Sequence, residues 1–545
     1  MILTDLLERN ARDFGQDVAL VELNPADANT ENLEWKEYEL VEGGHSNHFR
    51  SELTWKEFDD KANRIAYYLI SIGVKNGDKV AILLMNSIDW LPIYFGILKT
   101  GALAVPLNFR YTSEEIAYCL DLADAKILFF SHEFTERVDA VLPELSGIGD
   151  FIFLGKDTPS YAISFERLID GYSKDKPEVT ISEQDYAAIY FSSGTTGMPK
   201  AILHDHAGLY SAAVTEYTHH HQKKDDVFML IPPLYHTGAK MHWFGSLMSG
   251  GRTVLLMGTN PGWILSVAAQ EKISIVWLLV PWARDILSYM EENAEEVAKL
   301  DLSSLKLMHI GAQPVPPSLI KRWKEHFPHH EYDTNYGLSE SLGPGAVHLG
   351  IENIHKVGAI GKAGHEWSTR VVSEDGVDVP RGKVGELLVK GPGVMKEYYK
   401  NPEATAESLR DGWLYTGDMA MEDEDGFIFL VDRKKDVIIS GGENIYPVQI
   451  EDYLHKMPQI KDVAVIGVPD ERIGEKAVAI VELHLGKTAT EEDIMEFLAE
   501  LPRYKRPRQI IFDSVPRNPT GKIEKPKLRE KYHAEKVVSQ QIEGE

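Results

Sequence analysis

Apolar and polar positions along the chain follow two alternating periods. Residues 5–22 read as a helix followed by a strand over 18–21. Thr54-Trp55-Lys56-Glu57-Phe58 is a capping box that opens a helix, with apolar positions continuing through Ile65 and Leu69. Strand-like runs then alternate with helical ones: strands at 80–84, 102–107 and 127–130, helices at 90–99 and 113–123. The alternation continues through apolar runs at 227–231, 253–257, 275–280 and 305–310. Such an order predicts parallel sheets with helices on both faces. Residues 24–50 are polar, lack a strong period and read as a surface excursion.

The pattern changes near residue 365. Short strands at 369–372, 385–389 and 427–431, separated by Gly, Pro and acidic turns, predict a small, mostly antiparallel β unit. After Asp432 comes a compact α+β unit: helix 449–456, strands 463–468 and 477–483, then helix 491–501 with an acidic first turn. At 545 residues the length alone suggests three or four such units.

Composition narrows the classes of function. The net charge of −27 disfavours nucleic acid and anionic lipid as general partners. Residues 503–531 run against this trend, with ten Lys/Arg and three Asp/Glu, a local net charge of +7 that suits a small anionic ligand. The single cysteine, Cys119, lies in an apolar stretch, reads as a buried inert thiol and permits no internal disulfide. The N-terminus has no signal-peptide pattern, and the longest apolar run, 274–283, is about half of a membrane span. These features predict a cytoplasmic protein without integral membrane association.

The densest chemistry lies in Tyr190-Phe191-Ser192-Ser193-Gly194-Thr195-Thr196-Gly197-Met198-Pro199-Lys200, between two apolar runs. Glycines let backbone N–H groups converge on an anion, and hydroxyls add donors for phosphate oxygens. It is not a Walker A loop, because Pro199 separates Gly197 from Lys200 and no Ser or Thr follows the lysine. Four further motifs follow in order. They are Asn335-Tyr336-Gly337-Leu338-Ser339-Glu340, Tyr415-Thr416-Gly417-Asp418, Asp432-Arg433-Lys434-Lys435-Asp436 running on to Ser440-Gly441-Gly442-Glu443, and Pro516-Arg517-Asn518-Pro519-Thr520-Gly521-Lys522-Ile523. His204-Asp205-His206 and His219-His220-His221 are histidine-rich, but no matching Cys/His/Asp set accompanies them in the sequence, which speaks against a transition-metal site.

Together, from about residue 50 to 530, these motifs resemble the adenylate-forming (AMP-binding) superfamily, in its acyl-CoA synthetase branch. The resemblance implies an α/β fold with a large N-terminal part, 1–432, made of two α/β subdomains plus a distorted β-barrel at about 365–432. A small, mobile α+β lid, 433–545, follows a hinge at Lys434. It implies that Ser192, Ser193, Gly194, Thr195, Thr196, Gly197 and Lys200 wrap the ATP phosphates, and that Thr195 and Glu340 hold Mg²⁺. Ala312, Gln313, Pro314, Thr334, Asn335, Tyr336, Gly337, Leu338 and Ser339 would surround the adenine side. Asp418 would accept from the ribose hydroxyls with Arg433 assisting, and Lys522 would reach the α-phosphate. Gly441, Gly442 and Glu443 would face the CoA tunnel, with His236 as the gate between acid and thiol. Gly238, Ala239, Met241, Trp243 and Gly311 would wall the acyl pocket, with Trp243 as its floor or its gate.

The implied reaction is AMP-forming: a carboxylic acid, ATP and CoA give acyl-CoA through an acyl-adenylate. Leu234–Ala239 contains no carboxylate to hold a substrate ammonium, and no carrier domain follows residue 530, so an organic acid and free CoA are expected over an amino acid and a tethered thiol. A medium- to long-chain fatty acid leads, ahead of aryl or alicyclic acids. Luciferase-type oxidation shares the fold, and a catalytically dead nucleotide-binding module is the reading from another class. Lys240 reads as a solvated lysine, and a homodimer is compatible with the sequence.

Overall fold

In a computed structural model the described residues are 1–25, 48–192, 198–256, 258, 260–311, 315–441, 443–470, 472–517 and 523–532. They fold as a mixed α/β protein with a large N-terminal part and a small C-terminal part. Two large sheets form the first. The nine-stranded sheet has Leu307–Gly311 and Glu331–Leu338 beside Ile275–Leu279, Val227–Leu230 and Arg252–Leu255, these five parallel to one another, with Gly343–His348 antiparallel beyond Glu331–Leu338. The eight-stranded sheet centres on Lys79–Leu83, Leu103–Pro106 and Ala125–Ser131, again in parallel register. These central strands are apolar nearly throughout because helices cover both faces.

A third, all-antiparallel sheet joins Ser368–Val372, Val384–Lys390, Leu409–Arg410, Trp413–Glu422 and Ile428–Arg433. The C-terminal sheet pairs Ile460–Asp470 with Gly474–Leu483 and adds Gln509–Phe512 in parallel. Cys119 is buried, and burial pushes its thiol far above the ordinary range, as expected of an inert core thiol. No helix of the described residues is long and apolar enough to cross a membrane.

The capping box forms as read. Thr54 caps the helix Trp55–Ser71, its hydroxyl accepting from Glu57 N at 3.2 Å while the Glu57 carboxylate accepts from Thr54 N at 2.9 Å. The surface excursion expected over 24–50 needs correction at both ends. Val18–Pro25 and His48–Thr54 are antiparallel strands on the edge of the nine-stranded sheet. An edge strand carries polar residues on its exposed side, so the run from His48 to Thr54 lacks the apolar signal of a central strand.

The helix Trp55–Ser71 packs on Trp90–Leu98 at Gly96, where a Cβ would stand 2.7 Å from the Ile65 Cβ and 3.0 Å from the Ala62 carbonyl. Gly96→Ala is therefore expected to force the helices apart at a cost of about 1–3 kcal/mol. Chemical denaturation should show a lowered first midpoint, and an unchanged one would mean that the helices do not meet this closely.

Candidate active site

The loop rich in Gly, Ser and Thr joins two antiparallel strands, Tyr186–Phe191 and Ala201–Asp205. Its neck is closed twice: Ser192 N donates to the Lys200 carbonyl at 3.0 Å, and Lys200 N donates to Ser192 Oγ at 3.0 Å. Ser193, Gly194, Thr195, Thr196 and Gly197 lie outside the described residues, as do Ala312, Gln313, Pro314, Gly442 and Lys522.

Lys200 Nζ sits 4.8 Å over the Tyr398 ring, and the Tyr398 hydroxyl donates to Glu340 Oε1 at 2.8 Å. The adjacent Ser339 carbonyl receives His204 Nε2 at 2.9 Å. The structure thus gathers Lys200, Glu340 and Ser339 at the neck of the loop. Glu340 is half-buried and held by a phenol, a hard oxygen donor of the kind Mg²⁺ takes beside phosphate oxygens. Tyr398, on the short strand Glu397–Tyr398 paired with Leu203 and Ile202, lies outside every motif singled out in the sequence.

A second group forms where the nine-stranded and antiparallel sheets meet. Buried Tyr336 donates to Asp418 Oδ2 at 2.6 Å, and Arg433 Nε lies 3.3 Å from Asp418 Oδ1. Asp418 and Arg433 are cross-strand partners, so sheet register sets their pairing. Asp418 holds the Arg433 guanidinium above its ordinary range, and burial beside the carboxylate pushes the Tyr336 phenol up. Thr334 pairs with Ile310 in the sheet, and Asn335 approaches Gly311, where a Cβ would meet its Oδ1 at 3.2 Å. Gly337 and Leu338 complete that strand.

His236 caps the helix Thr237–Ser249, its Nδ1 accepting from Gly238 N at 3.1 Å. A Cβ on Gly238 would stand 3.4 Å from the Trp277 ring, one on Gly343 3.4 Å from Met241 Cγ, and one on Gly311 3.9 Å from Trp277 Nε1. Gly238, Met241 and Gly311 therefore share one wall with Trp277 and Gly343. Trp277 escaped sequence reasoning because in a wholly apolar strand nothing marks a residue that faces these glycines from any other core residue.

Trp243 lies in the apolar core. It is fully buried against Phe58 and Phe95, with ring centroids at 6.3 and 5.9 Å, on the core side of its helix. At 3.6 residues per turn it points away from Met241, and Ala239, four positions earlier, shares its face. Lys240, expected to be solvated, is a correction. It is fully buried, donates to the Leu234 carbonyl at 2.6 Å and sits 4.6 Å from the Tyr190 ring and 5.2 Å from the Trp90 ring. Burial pushes its amine well below the ordinary range, and its bond to Leu234 fixes the turn that carries His236.

At the junction with the C-terminal part, Lys434 Nζ pairs with Glu386 Oε2 at 3.0 Å, while Glu386 Oε1 accepts from Gly417 N at 3.1 Å. Gly441 takes φ +61° in the turn between strands Ile438–Ser440 and Glu443–Ile445, the left-handed region that favours glycine, and Glu443 is exposed on that hairpin. The described residues on either side of Lys522 are fastened to the C-terminal unit. Arg517 makes a two-pronged contact with Asp462 at 2.5 and 2.7 Å, and buried Lys525 pairs with Glu451 at 2.9 Å.

The fold and this site together define an adenylate-forming enzyme. A family model described as AMP-binding enzyme matches residues 10–399, and one described as AMP-binding enzyme C-terminal domain matches residues 449–522. The chain belongs to the AMP-binding enzyme family. It is 34% identical to the long-chain-fatty-acid–CoA ligase FadD13 of Mycobacterium tuberculosis, over 88% of this chain and 93% of that one. It is 32% identical to a feruloyl-CoA synthase of an Amycolatopsis species, over 89% and 95%. The crystal structure of the anthranilate CoA ligase AuaEII in complex with anthranoyl-AMP superposes with a TM-score of 0.85 at 26% identity, covering 97% of each chain. The protein is accordingly an AMP-forming acid–thiol ligase that uses ATP with Mg²⁺ and CoA.

Asp432, last before Arg433, accepts from Arg433 N at 2.7 Å and Val448 N at 3.0 Å. Burial raises its carboxyl to about 6, against the opposing charge of Lys525. The native state thus keeps a proton that the unfolded chain, near 3.8, has already released. Stability is expected to fall as pH rises from about 4 to 6 and to stay lower above. Asp432→Asn should remove up to about 3 kcal/mol of that fall in unfolding measured across pH. Equal pH slopes for the two proteins would show that Asp432 does not titrate in this window.

Proposed function

We propose that this ligase activates a medium- to long-chain fatty acid and that the residues gathered above carry the two half-reactions. In the first, a carboxylate oxygen attacks the ATP α-phosphorus, the bond to the β-phosphate breaks, and pyrophosphate leaves. Charge builds on the α-phosphoryl oxygens, so a fixed cation there lowers the barrier. Lys522 supplies it, on a segment steadied by Arg517 and Lys525. The loop from Ser192 to Lys200 cradles the phosphates, Tyr336 stacks on the adenine, and Asp418 accepts from the ribose with Arg433 beside it. Glu340, with Thr195, would hold Mg²⁺, whose chemistry is neutralisation of phosphate charge.

In the second half-reaction the CoA sulfur attacks the acyl carbonyl and AMP leaves with its oxygen. Lys434 is the hinge about which the C-terminal unit exchanges Lys522 for the hairpin bearing Gly441, Gly442 and Glu443, and His236 gates the acid from the thiol. Lys522→Ala is expected to cut acid-dependent pyrophosphate exchange by about 10²–10³-fold. The same variant should still convert a supplied acyl-adenylate and CoA to thioester. Equal loss of both steps in a folded variant would refute the division of labour.

One observation favours an apolar acid: Lys240 is engaged in the core, leaving no ammonium there to answer a second polar group. Glycines 238, 311 and 343 keep the Trp277 wall open. The relationship to a long-chain-fatty-acid–CoA ligase supports the same class. The test is thioester formation over octanoate, palmitate, ferulate and anthranilate, with products identified. The fatty acids should give the highest kcat/KM with release of AMP and pyrophosphate. Preference for ferulate or anthranilate would replace the fatty acid with an aryl acid.

A further inference from the structure

Behind the Trp277 wall lies a cluster that the reaction above does not use. Helix His206–His220 contributes Glu216 and His220, helix Thr237–Ser249 contributes His242, and neighbouring strands contribute His309, Asp333 and His348. None of the six is more than 4% exposed. No matching set stands beside the histidine-rich runs in the sequence, because these partners are spread from residue 216 to 348. The fold collects them.

Asp333 is fully satisfied. Its carboxylate accepts from His220 at 2.9 Å, His348 at 3.3 Å, and the backbone of Thr334 and Gly350 at 2.9 Å each. The other side of the cluster is not. Glu216 spends Oε2 on His220 at 3.2 Å and His242 Nδ1 at 2.9 Å. Glu216 Oε1, His242 Nε2 and both ring nitrogens of His309 are buried without a hydrogen-bond partner among the described residues. Unpaired buried polar atoms are costly, and four on three touching residues form one unmet demand. Glu216, His242 and His309 each offer a donor atom within 4.8 Å of the others.

We propose that Glu216, His242 and His309 bind a divalent d-block cation, with zinc the first choice. Two imidazoles and a carboxylate suit such an ion, whereas Mg²⁺ prefers oxygen donors and its own water. Two buried carboxylates, Glu216 and Asp333, stand in the cluster to offset the charge of a divalent ion. Asp333 and His220 stand one step outside and orient the donors, as outer partners of metal sites do. His242 lies 4.6 Å from the Trp277 ring, so the ion braces the acyl wall from behind. Such deep burial makes its role structural.

The test uses the full chain expressed with added zinc and dialysed against EDTA, which strips Mg²⁺ bound with nucleotide. Elemental analysis should find about one zinc per chain, and Glu216→Gln and His309→Asn should each lower retention at least about tenfold with circular dichroism unchanged. Should a variant fail to fold, wild-type protein unfolded in guanidinium with EDTA and refolded with Co²⁺ should show visible d–d bands that zinc displaces. Wild-type protein that keeps less than about a tenth of an equivalent and shows no cobalt bands would overturn the proposal. Folded variants that keep the metal in full would overturn it equally.

Discussion

The contact from Tyr336 through Asp418 to Arg433 is the constraint on which the rest of the site depends. Each residue comes from a different strand: Tyr336 from the nine-stranded sheet, Asp418 and Arg433 from paired strands of the antiparallel sheet. A carboxylate this buried is tolerable only with partners, and both partners must be placed to serve it. The two sheets are thereby held in register at the point where the chain turns into its C-terminal unit. Glu386 extends the link by binding Gly417 and Lys434 at once, so the tight turn before Asp418 and the residue after Arg433 are fixed by one side chain.

Around that contact, reactive segments are mounted on short, closed necks. Ser192 and Lys200 seal the hydroxyl-rich loop, and Thr416 stiffens the next turn by donating to the Leu387 carbonyl and accepting from Asp418 N. His236 and Lys240 do the same for the turn that opens the helix Thr237–Ser249. The chain pays conformational entropy for these loops at folding, before substrate arrives, which is the economical order for an enzyme whose work is positioning charge.

What could be read in the sequence follows from the range of the forces involved. The hydroxyl and glycine motifs declare themselves because backbone approach to phosphate demands those residue types within a few positions. The capping box at Thr54 and Glu57 is equally local. Lys240 misled because a helix face is decided by what packs on it, here Trp90 and Tyr190 from distant segments. The edge strand His48–Thr54 was hidden by its polar side. The cluster around His309 was invisible for a stronger reason: each of its carboxylates and imidazoles looks solvated alone, and only the crossing of two helices over neighbouring parallel strands puts them together.

The two clamps on the Lys522 segment, Arg517 on Asp462 and Lys525 on Glu451, have both ends within the C-terminal unit. The residues on either side of Lys522 therefore belong to that unit as one inheritable cassette, bound by contacts internal to it. Recombination between relatives at the Lys434 crossover would transplant the lysine, its clamps and the Gly441 hairpin in one piece. The acid pocket would stay behind on the recipient. Selection can thus diversify which acid is accepted while leaving the machinery of nucleotide chemistry intact.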